Sequence, residues 1–328
     1  MQYKNLGKSG LMVSRVSLGC MSFGDPAKGR YSWILNEEQS RPIIRYALEM
    51  GINFFDTANV YAAGTSEEVL GRVLKDFAKR EDLVIASKVF MEMRQDANGR
   101  GLSRKAIMNE IDASLRRLGM DYIDLYQIHR WDETTPIEET LEALNDVIKM
   151  GKVRYIGAST MQAWRFAKAL YIADQHGWSR FISMQPQYNL MYREEEREML
   201  PLCLAEGIGV IPFSALARGR LARPWAERSN TERFASDPVA DALYGNTESE
   251  DKLVVDRLTE MASKKGVVQA QMALAWVMQH PSVSSIIVGA TKLKHLEDAI
   301  AALDISLTAD EMARLEEPYR PHAWQISL

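Results

Sequence analysis

Short apolar runs rich in β-branched residues alternate with longer amphipathic segments along most of the chain. Most of these runs are continuously apolar, which is typical of parallel strands that helices cover on both faces. In chain order the predicted strands are Val16–Leu18, Asn53–Asp56, Leu83–Lys88, Tyr122–Gln127, Val153–Ala158, Phe181–Gln185, Gly209–Phe213 and Ser285–Val288.

The segments between the predicted strands carry recognisable helix ends. Thr65, Thr135 and Thr308 each precede a glutamate by three residues, as in the capping box that begins many helices. Pro136 supports a helix start beside Thr135, because proline suits the first helical position. Glycine commonly ends a helix in the left-handed conformation. Predicted ends of this kind stand at Gly51, Gly119, Gly151, Gly177 and Gly207.

The alternation of eight strands with helices predicts an α/β fold, a closed (β/α)8 TIM barrel, because parallel strands need helical crossovers. The alternative is an open doubly wound sheet. An open sheet that binds a dinucleotide normally carries G-x-G-x-x-G after its first strand, and the sequence has no such motif. We therefore favour the barrel and predict one domain over residues 1–328.

Three segments extend beyond a minimal barrel. Tyr3–Leu6 and Met12–Arg15 predict an N-terminal β-hairpin, and Thr308–Leu315 predicts an extra C-terminal helix. The polar residues Ala222–Glu250 predict a long loop, with a disordered insertion as the alternative. Two helices then follow, over Asp251–Lys265 and Gln269–Gln279.

Composition narrows the class of protein. The 328 residues carry a net charge of −4, so the basic excess of a nucleic-acid-binding protein is missing. The sequence has no apolar run of the roughly 18 residues needed to cross a bilayer, and no secretory signal. With only two cysteines, Cys20 and Cys203, we expect a cytoplasmic protein with no membrane or nucleic-acid partner and no metal site. The oligomeric state is not indicated.

Polar residues stand at the ends of three consecutive predicted strands: Asp56 with nearby Tyr61, then Lys88, then His129. Each alone has an ordinary structural interpretation, but the carboxyl ends of barrel strands converge on one face. There the Lys88 ammonium would lower the pKa of the Tyr61 phenol, and Asp56 would keep Lys88 charged. His129 would orient a substrate oxygen. This set suits proton donation to a carbonyl that receives a hydride.

Four segments together resemble the aldo-keto reductase signatures, in order and spacing. The similarity runs nearly end to end and is greatest to the bacterial YajO-like branch, which also resembles potassium-channel β-subunits. The segments are Asp56-Thr57-Ala58-Asn59-Val60-Tyr61, Ala86-Ser87-Lys88, Gln127-Ile128-His129-Arg130-Trp131 and Ile156-Gly157-Ala158-Ser159.

The resemblance implies an NADPH-dependent reductase of an aldehyde or ketone, with Tyr61 as general acid. It also implies that Ser159 and Gln185 hold the nicotinamide carboxamide of NADPH or NADP⁺ and that Phe213 stacks on its ring. Thr160 and Phe213 stand where the family often has Asn and Tyr.

Two further segments match the family's cofactor loops, Ser214–Arg220 and Gly289–His295. Backbone N–H groups, hydroxyls and cationic side chains are what a pyrophosphate and a 2′-phosphate require. Lys292, with Lys294 or His295 nearby, favours NADPH over NADH, whereas a solvated basic patch at a helix start is the alternative. The implied cofactor residues are Ser214, Leu216, Arg218, Gly219, Arg220, Gly289, Thr291, Lys292, His295 and Asp298.

Aromatic residues near the expected mouth of the barrel, Trp33, Phe90 and Trp131, are candidates for a substrate pocket. Two other functions stay open at this point. One is a Schiff-base aldolase that uses Lys88 as nucleophile. The other is a regulatory module that binds NADPH with vestigial turnover. The small-molecule carbonyl substrate itself is not indicated, because pocket loops vary within a fold.

Overall fold

A computed structural model of the chain describes residues 1–229, 234 and 236–322. Within these residues the strands, in chain order, are β1 (Tyr3–Asn5), β2 (Met12–Ser14), β3 (Val16–Gly19), β4 (Phe54–Asp56), β5 (Val84–Val89), β6 (Ile123–Ile128), β7 (Val153–Ser159), β8 (Phe181–Gln185), β9 (Gly209–Val210) and β10 (Ile286–Gly289). β1 and β2 form the predicted antiparallel hairpin. The other strands form a parallel sheet in the order β10-β3-β4-β5-β6-β7-β8-β9.

Hydrogen bonds join the two outer strands of this sheet and close it into a barrel. The Val210 N–H of β9 donates to the Ser282 carbonyl oxygen at 3.0 Å, and the Ser284 N–H donates to the Val210 oxygen at 2.8 Å. The Ile287 N–H of β10 donates to the Pro212 oxygen at 3.0 Å. β9 is shorter than predicted, because Pro212 has no N–H to continue the ladder. The predicted (β/α)8 barrel is confirmed.

The hairpin covers the amino-terminal end of the barrel. Leu6 and Val13 are fully buried in a separate small core with Phe54 and Val84, the first residues of β4 and β5. Gly7, between the hairpin strands, has a φ of +61°, and a Cβ there would lie 2.3 Å from a backbone oxygen. This tight closure leaves the carboxyl ends of the strands as the open face of the barrel.

Helices pack around the strands. None of the helices in the described part of the chain is long and apolar enough to cross a membrane. In chain order they are α1 (Glu37–Glu49), α2 (Thr65–Phe77), α3 (Arg104–Leu118), α4 (Ile137–Lys149), α5 (Ala163–His176), α6 (Met199–Glu206), α7 (Pro238–Tyr244), α8 (Glu248–Lys265), α9 (Gln269–Gln279), α10 (Leu293–Ala301) and α11 (Ala309–Glu316).

One of the three predicted capping boxes forms. Thr308 and Glu311 cap α11 reciprocally. The prediction at Thr65 is wrong, because α2 begins at that residue and its hydroxyl donates to the Ala62 oxygen at 2.7 Å. The prediction at Thr135 is also wrong, because its hydroxyl donates to the Asp132 carboxylate instead. All five predicted glycine helix ends adopt a positive φ.

The segment predicted as a long loop, residues 222–250, contains regular structure. It holds a 3₁₀ turn at Trp225–Glu227 and helix α7, and α8 begins at Glu248. Tyr244 anchors α7: it is fully buried, and its hydroxyl accepts hydrogen bonds from Gln187 and Asn189. The prediction of an irregular loop is therefore wrong for the described residues, while 230–233 and 235 lie outside them.

Candidate active site

A buried ion pair lies where β4 and β5 end. Asp56 is the last residue of β4, and its Oδ1 lies 2.5 Å from the Nζ of Lys88. Lys88 is fully buried, and its ammonium also donates to the Thr57 carbonyl oxygen at 2.9 Å. A buried charge is stable only when it is paired and hydrogen-bonded, and this one is both.

Tyr61 lies in a short 3₁₀ turn that follows β4. The Lys88 Nζ donates to its hydroxyl at 3.3 Å. The next two residues, Ala62 and Ala63, have φ values of 47° and 52°, a conformation that costs non-glycine residues roughly 1–3 kcal/mol each. A strained turn therefore holds the phenol against the ammonium.

Burial and charge set the protonation states in this cluster. Burial raises the pKa of Tyr61, and the opposing effect of Lys88 does not overcome it. Lys88 does act to lower the Tyr61 pKa, as predicted, but the net shift is upward because burial has the larger effect. Burial alone would lower the pKa of Lys88, but Asp56 and Tyr61 outweigh it and the pKa is raised. At neutral pH the cluster holds a protonated phenol and an ammonium.

His129 follows β6 and faces Tyr61. The two ring centroids are 6.0 Å apart with the planes nearly perpendicular. Burial, then Lys88 and Arg130, hold the pKa of His129 well below its ordinary value, so the imidazole is neutral. Its buried Nδ1 has no hydrogen-bond partner among the described residues. The ring is therefore placed to interact with a ligand beside the phenol.

Two side-chain amides hold the other oxygen of the Asp56 carboxylate. The Nε2 of Gln185 lies 2.9 Å from Asp56 Oδ2, and the Nε2 of Gln127 lies 3.2 Å from the same atom. Gln185 also donates to Gln127 Oε1 at 3.3 Å. Gln127 was not among the predicted site residues, although a polar residue ending an apolar strand was the signal that could have identified it.

The residues predicted to face the nicotinamide lie on neighbouring strand ends. The Ser159 hydroxyl donates to the Gln185 carbonyl oxygen at 2.9 Å, and Thr160 follows with a φ of 45°. Phe213 is half-buried beyond β9, where its N–H donates to the Pro186 oxygen at 3.0 Å. The structure therefore brings Ser159 and Gln185 together.

The loop after β9 is tightly folded around paired arginines. Ser214, Ala217 and Arg218 all have positive φ values. Arg218 binds Asp237 through two hydrogen bonds, of 2.7 and 2.9 Å, and both side chains are buried. Arg220 lies 3.4 Å from Glu248. Leu216 and Gly219 complete this loop.

The loop after β10 carries the second set of cations. Lys294 pairs with Asp298 at 2.5 Å, and the Thr291 N–H donates to His295 Nδ1 at 3.3 Å. Lys292 is exposed. A Cβ on Gly289, as on Gly219 of the previous loop, would meet nothing within 4 Å. The cations and the open approach at both glycines fit the phosphates of a dinucleotide.

The aromatic residues predicted to line a pocket are spread over three loops. Phe90 follows β5 with a φ of 151°, and Trp131 follows β6, where Arg165 lies 5.5 Å from its ring. Trp33, between β3 and α1, is buried and stacks on Tyr31 at 4.6 Å. Phe90 and Trp131 lie on adjacent strand ends beside the Tyr61 cluster.

Comparison with known proteins adds a family match. A family model described as "Aldo/keto reductase family" matches residues 15–320. Versiconal hemiacetal acetate reductase of Aspergillus parasiticus is 47% identical over 98% of each chain. Putative aryl-alcohol dehydrogenase C977.14c of Schizosaccharomyces pombe is 43% identical over 97% of this chain and 96% of its own. Putative aryl-alcohol dehydrogenase AAD16 of Saccharomyces cerevisiae is 40% identical over 96% of each. These relatives are fungal, and the bacterial branch is not confirmed.

Proposed function

This chain belongs to the aldo/keto reductase family, and from that premise we propose that it reduces an aldehyde or ketone to the alcohol with NADPH, with Tyr61 as general acid. The observation that carries the proposal is the position of the Lys88 ammonium, 2.5 Å from Asp56 and 3.3 Å from the Tyr61 hydroxyl. We propose further that residues 1–328 form one domain.

The residues have distinct proposed roles in the reaction. The bound cofactor supplies the hydride. Tyr61 gives its proton to the carbonyl oxygen, and its raised pKa keeps that proton in place until the oxygen becomes basic. Lys88 stabilises the phenolate that remains, and Asp56 holds Lys88 charged and oriented. Neutral His129 positions the carbonyl oxygen by a hydrogen bond.

The cofactor is proposed to lie across the carboxyl ends of β7 to β10. Ser159 and Gln185 would hold the nicotinamide carboxamide, and because the Gln185 amide nitrogen is engaged with Asp56, its Oε1 is the atom left to accept. Phe213 would stack on the ring. Lys292 favours a 2′-phosphate, hence NADPH. The phosphate-binding set is Ser214, Leu216, Arg218, Gly219, Arg220, Gly289, Thr291, Lys292, His295 and Asp298.

Aromatic aldehydes are the substrates to test first. Two relatives are named as putative aryl-alcohol dehydrogenases, and Trp33, Phe90 and Trp131 offer apolar area for an aromatic ring. An aldolase that uses Lys88 is disfavoured, because an ammonium held charged by Asp56 is a poor nucleophile.

Replacement of Tyr61 by Phe tests the assignment. We expect Tyr61→Phe to lower the reduction rate of 4-nitrobenzaldehyde by about 10²- to 10⁴-fold, while the Kd for NADPH stays within twofold. Tyr171→Phe, on the exposed surface of α5, is the matched control. A Phe variant with the parent rate would show that Tyr61 is not the acid. If the parent protein binds NADPH but does not oxidise it with any of the carbonyl compounds tested, the protein is a regulatory module instead.

A further inference from the structure

Arg130 places a positive charge directly beside the proposed active site. It follows His129 at the carboxyl end of β6 and is half-buried. Its Nη1 donates to the His129 carbonyl oxygen at 2.9 Å, which keeps the guanidinium next to the histidine. His129 in turn faces Tyr61, with their ring centroids 6.0 Å apart, so the guanidinium lies one residue from the proposed site.

No carboxylate in the described part of the chain pairs with this guanidinium, and the nearest acids in the sequence are engaged elsewhere. Asp132 accepts hydrogen bonds from the Leu102 N–H and from the Thr134 N–H and hydroxyl. Glu133 pairs with Arg165. The buried Nε of Arg130 has no hydrogen-bond partner in the same region.

Three other arginines with buried or half-buried side chains show two ways in which a guanidinium is satisfied. Arg218 and Arg117 pair with buried carboxylates, those of Asp237 and Glu67. Arg15 has no such carboxylate but donates to three backbone oxygens. Arg130 has neither arrangement. Because arginine stays protonated in proteins, a poorly satisfied guanidinium is costly unless a ligand satisfies it.

We propose that Arg130 binds an oxyanion of the substrate, so that the preferred substrates are aldehydes or ketones that carry a carboxylate or phosphate near the carbonyl. The guanidinium offers parallel N–H donors that match both groups in a bidentate geometry. A guanidinium held next to His129 would bring the anion close to the reacting oxygen. This inference rests on the proposed function.

The experiment compares each acid with its neutral ester. The substrates are 2-, 3- and 4-carboxybenzaldehyde and their methyl esters, with 4-formylphenyl phosphate as the phosphate arm. The three isomers differ in the distance from the carbonyl to the anion. For the isomer with the highest kcat/KM, the acid-to-ester ratio is its kcat/KM divided by that of its methyl ester. We expect the parent protein to favour one acid by about tenfold or more, mainly through KM.

Three variants separate the charge from its surroundings. Arg130→Met should lower the acid-to-ester ratio by about 10- to 100-fold and change ester reduction little. Arg130→Lys keeps the charge without the bidentate geometry and should retain part of the preference. Arg165→Met, which removes a charge that Glu133 already neutralises near the same loop, should leave the ratio unchanged. NADPH binding by each variant shows that it is folded.

Three outcomes would overturn the inference. An equal acid-to-ester ratio in the parent and in Arg130→Met contradicts it. A loss of kcat that is the same for acids and esters, with a shifted pH profile, would mean that Arg130 acts on Tyr61. If the parent reduces neither the esters nor 4-nitrobenzaldehyde, the proposed function itself fails, and the inference with it. The esters thus distinguish the two failures.

Discussion

Two groups of charged residues at the carboxyl face of the barrel differ in how their charges are satisfied. In the catalytic cluster, Lys88 pairs with Asp56, and both belong to the proposed site. In the loops after β9 and β10, the proposed phosphate region, Arg218 pairs with Asp237, a residue that has no proposed role in the reaction. The first group needs no rearrangement for its proposed chemistry, whereas a phosphate bound by the second would have to compete with carboxylates of the protein.

Within the phosphate region, the free-energy cost of exchanging a carboxylate for a phosphate depends on how buried the ion pair is. The Lys294–Asp298 pair is largely exposed at its lysine, so exchanging it for a phosphate costs little. The Arg218 and Asp237 side chains are 6% and 0% exposed, and a charge left unpaired there is expensive. We therefore expect substitutions to act on the rate in the catalytic cluster and on cofactor affinity in the phosphate region.

The largest effect is expected at Lys88. Lys88→Met removes the charge that stabilises a Tyr61 phenolate, so kcat for 4-nitrobenzaldehyde should fall by about 10³-fold. Because it also leaves Asp56 buried without its partner, stability should fall too. The double variant Asp56→Asn/Lys88→Met should recover the melting temperature but not the rate. Lys168→Met, on the surface of α5, is the control. A Lys88→Met variant that keeps at least a tenth of the parent rate would contradict the difference expected between the catalytic cluster and the phosphate region.

The sequence was sufficient to predict that Asp56, Tyr61, Lys88 and His129 lie together, and the reason is local. Asp56, Lys88 and His129 interrupt or end apolar strands, and the topology of a barrel brings strand ends together. The net direction of the Tyr61 pKa shift was not predicted, because the balance of burial against the Lys88 charge depends on distances that no sequence pattern contains.

The phosphate region was less accessible to sequence reasoning. Its cations were identified from type and position, but the Arg218–Asp237 pair joins residues of two loops whose approach depends on tertiary packing. Helix α7 lies in a segment whose polar composition predicted a loop, since the buried anchor Tyr244 is one residue in a polar stretch. Local polarity is a weak guide where a few buried side chains, here Ala240, Leu243 and Tyr244, fix a helix.

A smaller loss of rate is expected at Gln127. Gln127→Leu removes one of the two amide donors to Asp56 and the acceptor of Gln185, and an unpaired buried polar group costs about 1–3 kcal/mol. We expect kcat to fall by about tenfold and the Kd for NADPH to change less than twofold. Gln175→Leu, on the exposed surface of α5, is the control. A larger effect on Kd than on kcat would place Gln127 with the cofactor instead.

His129, in the catalytic cluster, should make the stability of the protein depend on pH. Burial, Lys88 and Arg130 hold its pKa well below 6.5 in the folded protein, whereas the unfolded chain takes up a proton near that pH. The free energy of unfolding should therefore decrease as the pH falls below about 6.5, by up to ~1.4 kcal/mol per pH unit. Urea unfolding at about pH 7 and about pH 5.5 measures this.

Substitution of His129 shows whether that pH dependence belongs to the cluster. His129→Gln should remove this part of the stability loss at the lower pH. His176→Gln, at the exposed end of α5, should keep the dependence of the parent protein. Equal dependence in the parent and in His129→Gln would mean that the imidazole is protonated in the folded state.

The smallest effect is expected at Asp237, where the phosphate region is tested directly. Asp237 also accepts the Val239 and Ala240 N–H groups at the start of α7, and asparagine keeps this cap and one acceptor for Arg218. Asp237→Asn should thus free the Arg218 charge for a phosphate, lowering the Kd for NADPH by about threefold and steepening its salt dependence. Glu260→Gln, which removes an exposed carboxylate on α8, is the control. A weaker affinity in Asp237→Asn would show that the pair holds the loop in its binding conformation, so that the carboxylate supports the ligand instead of competing with it.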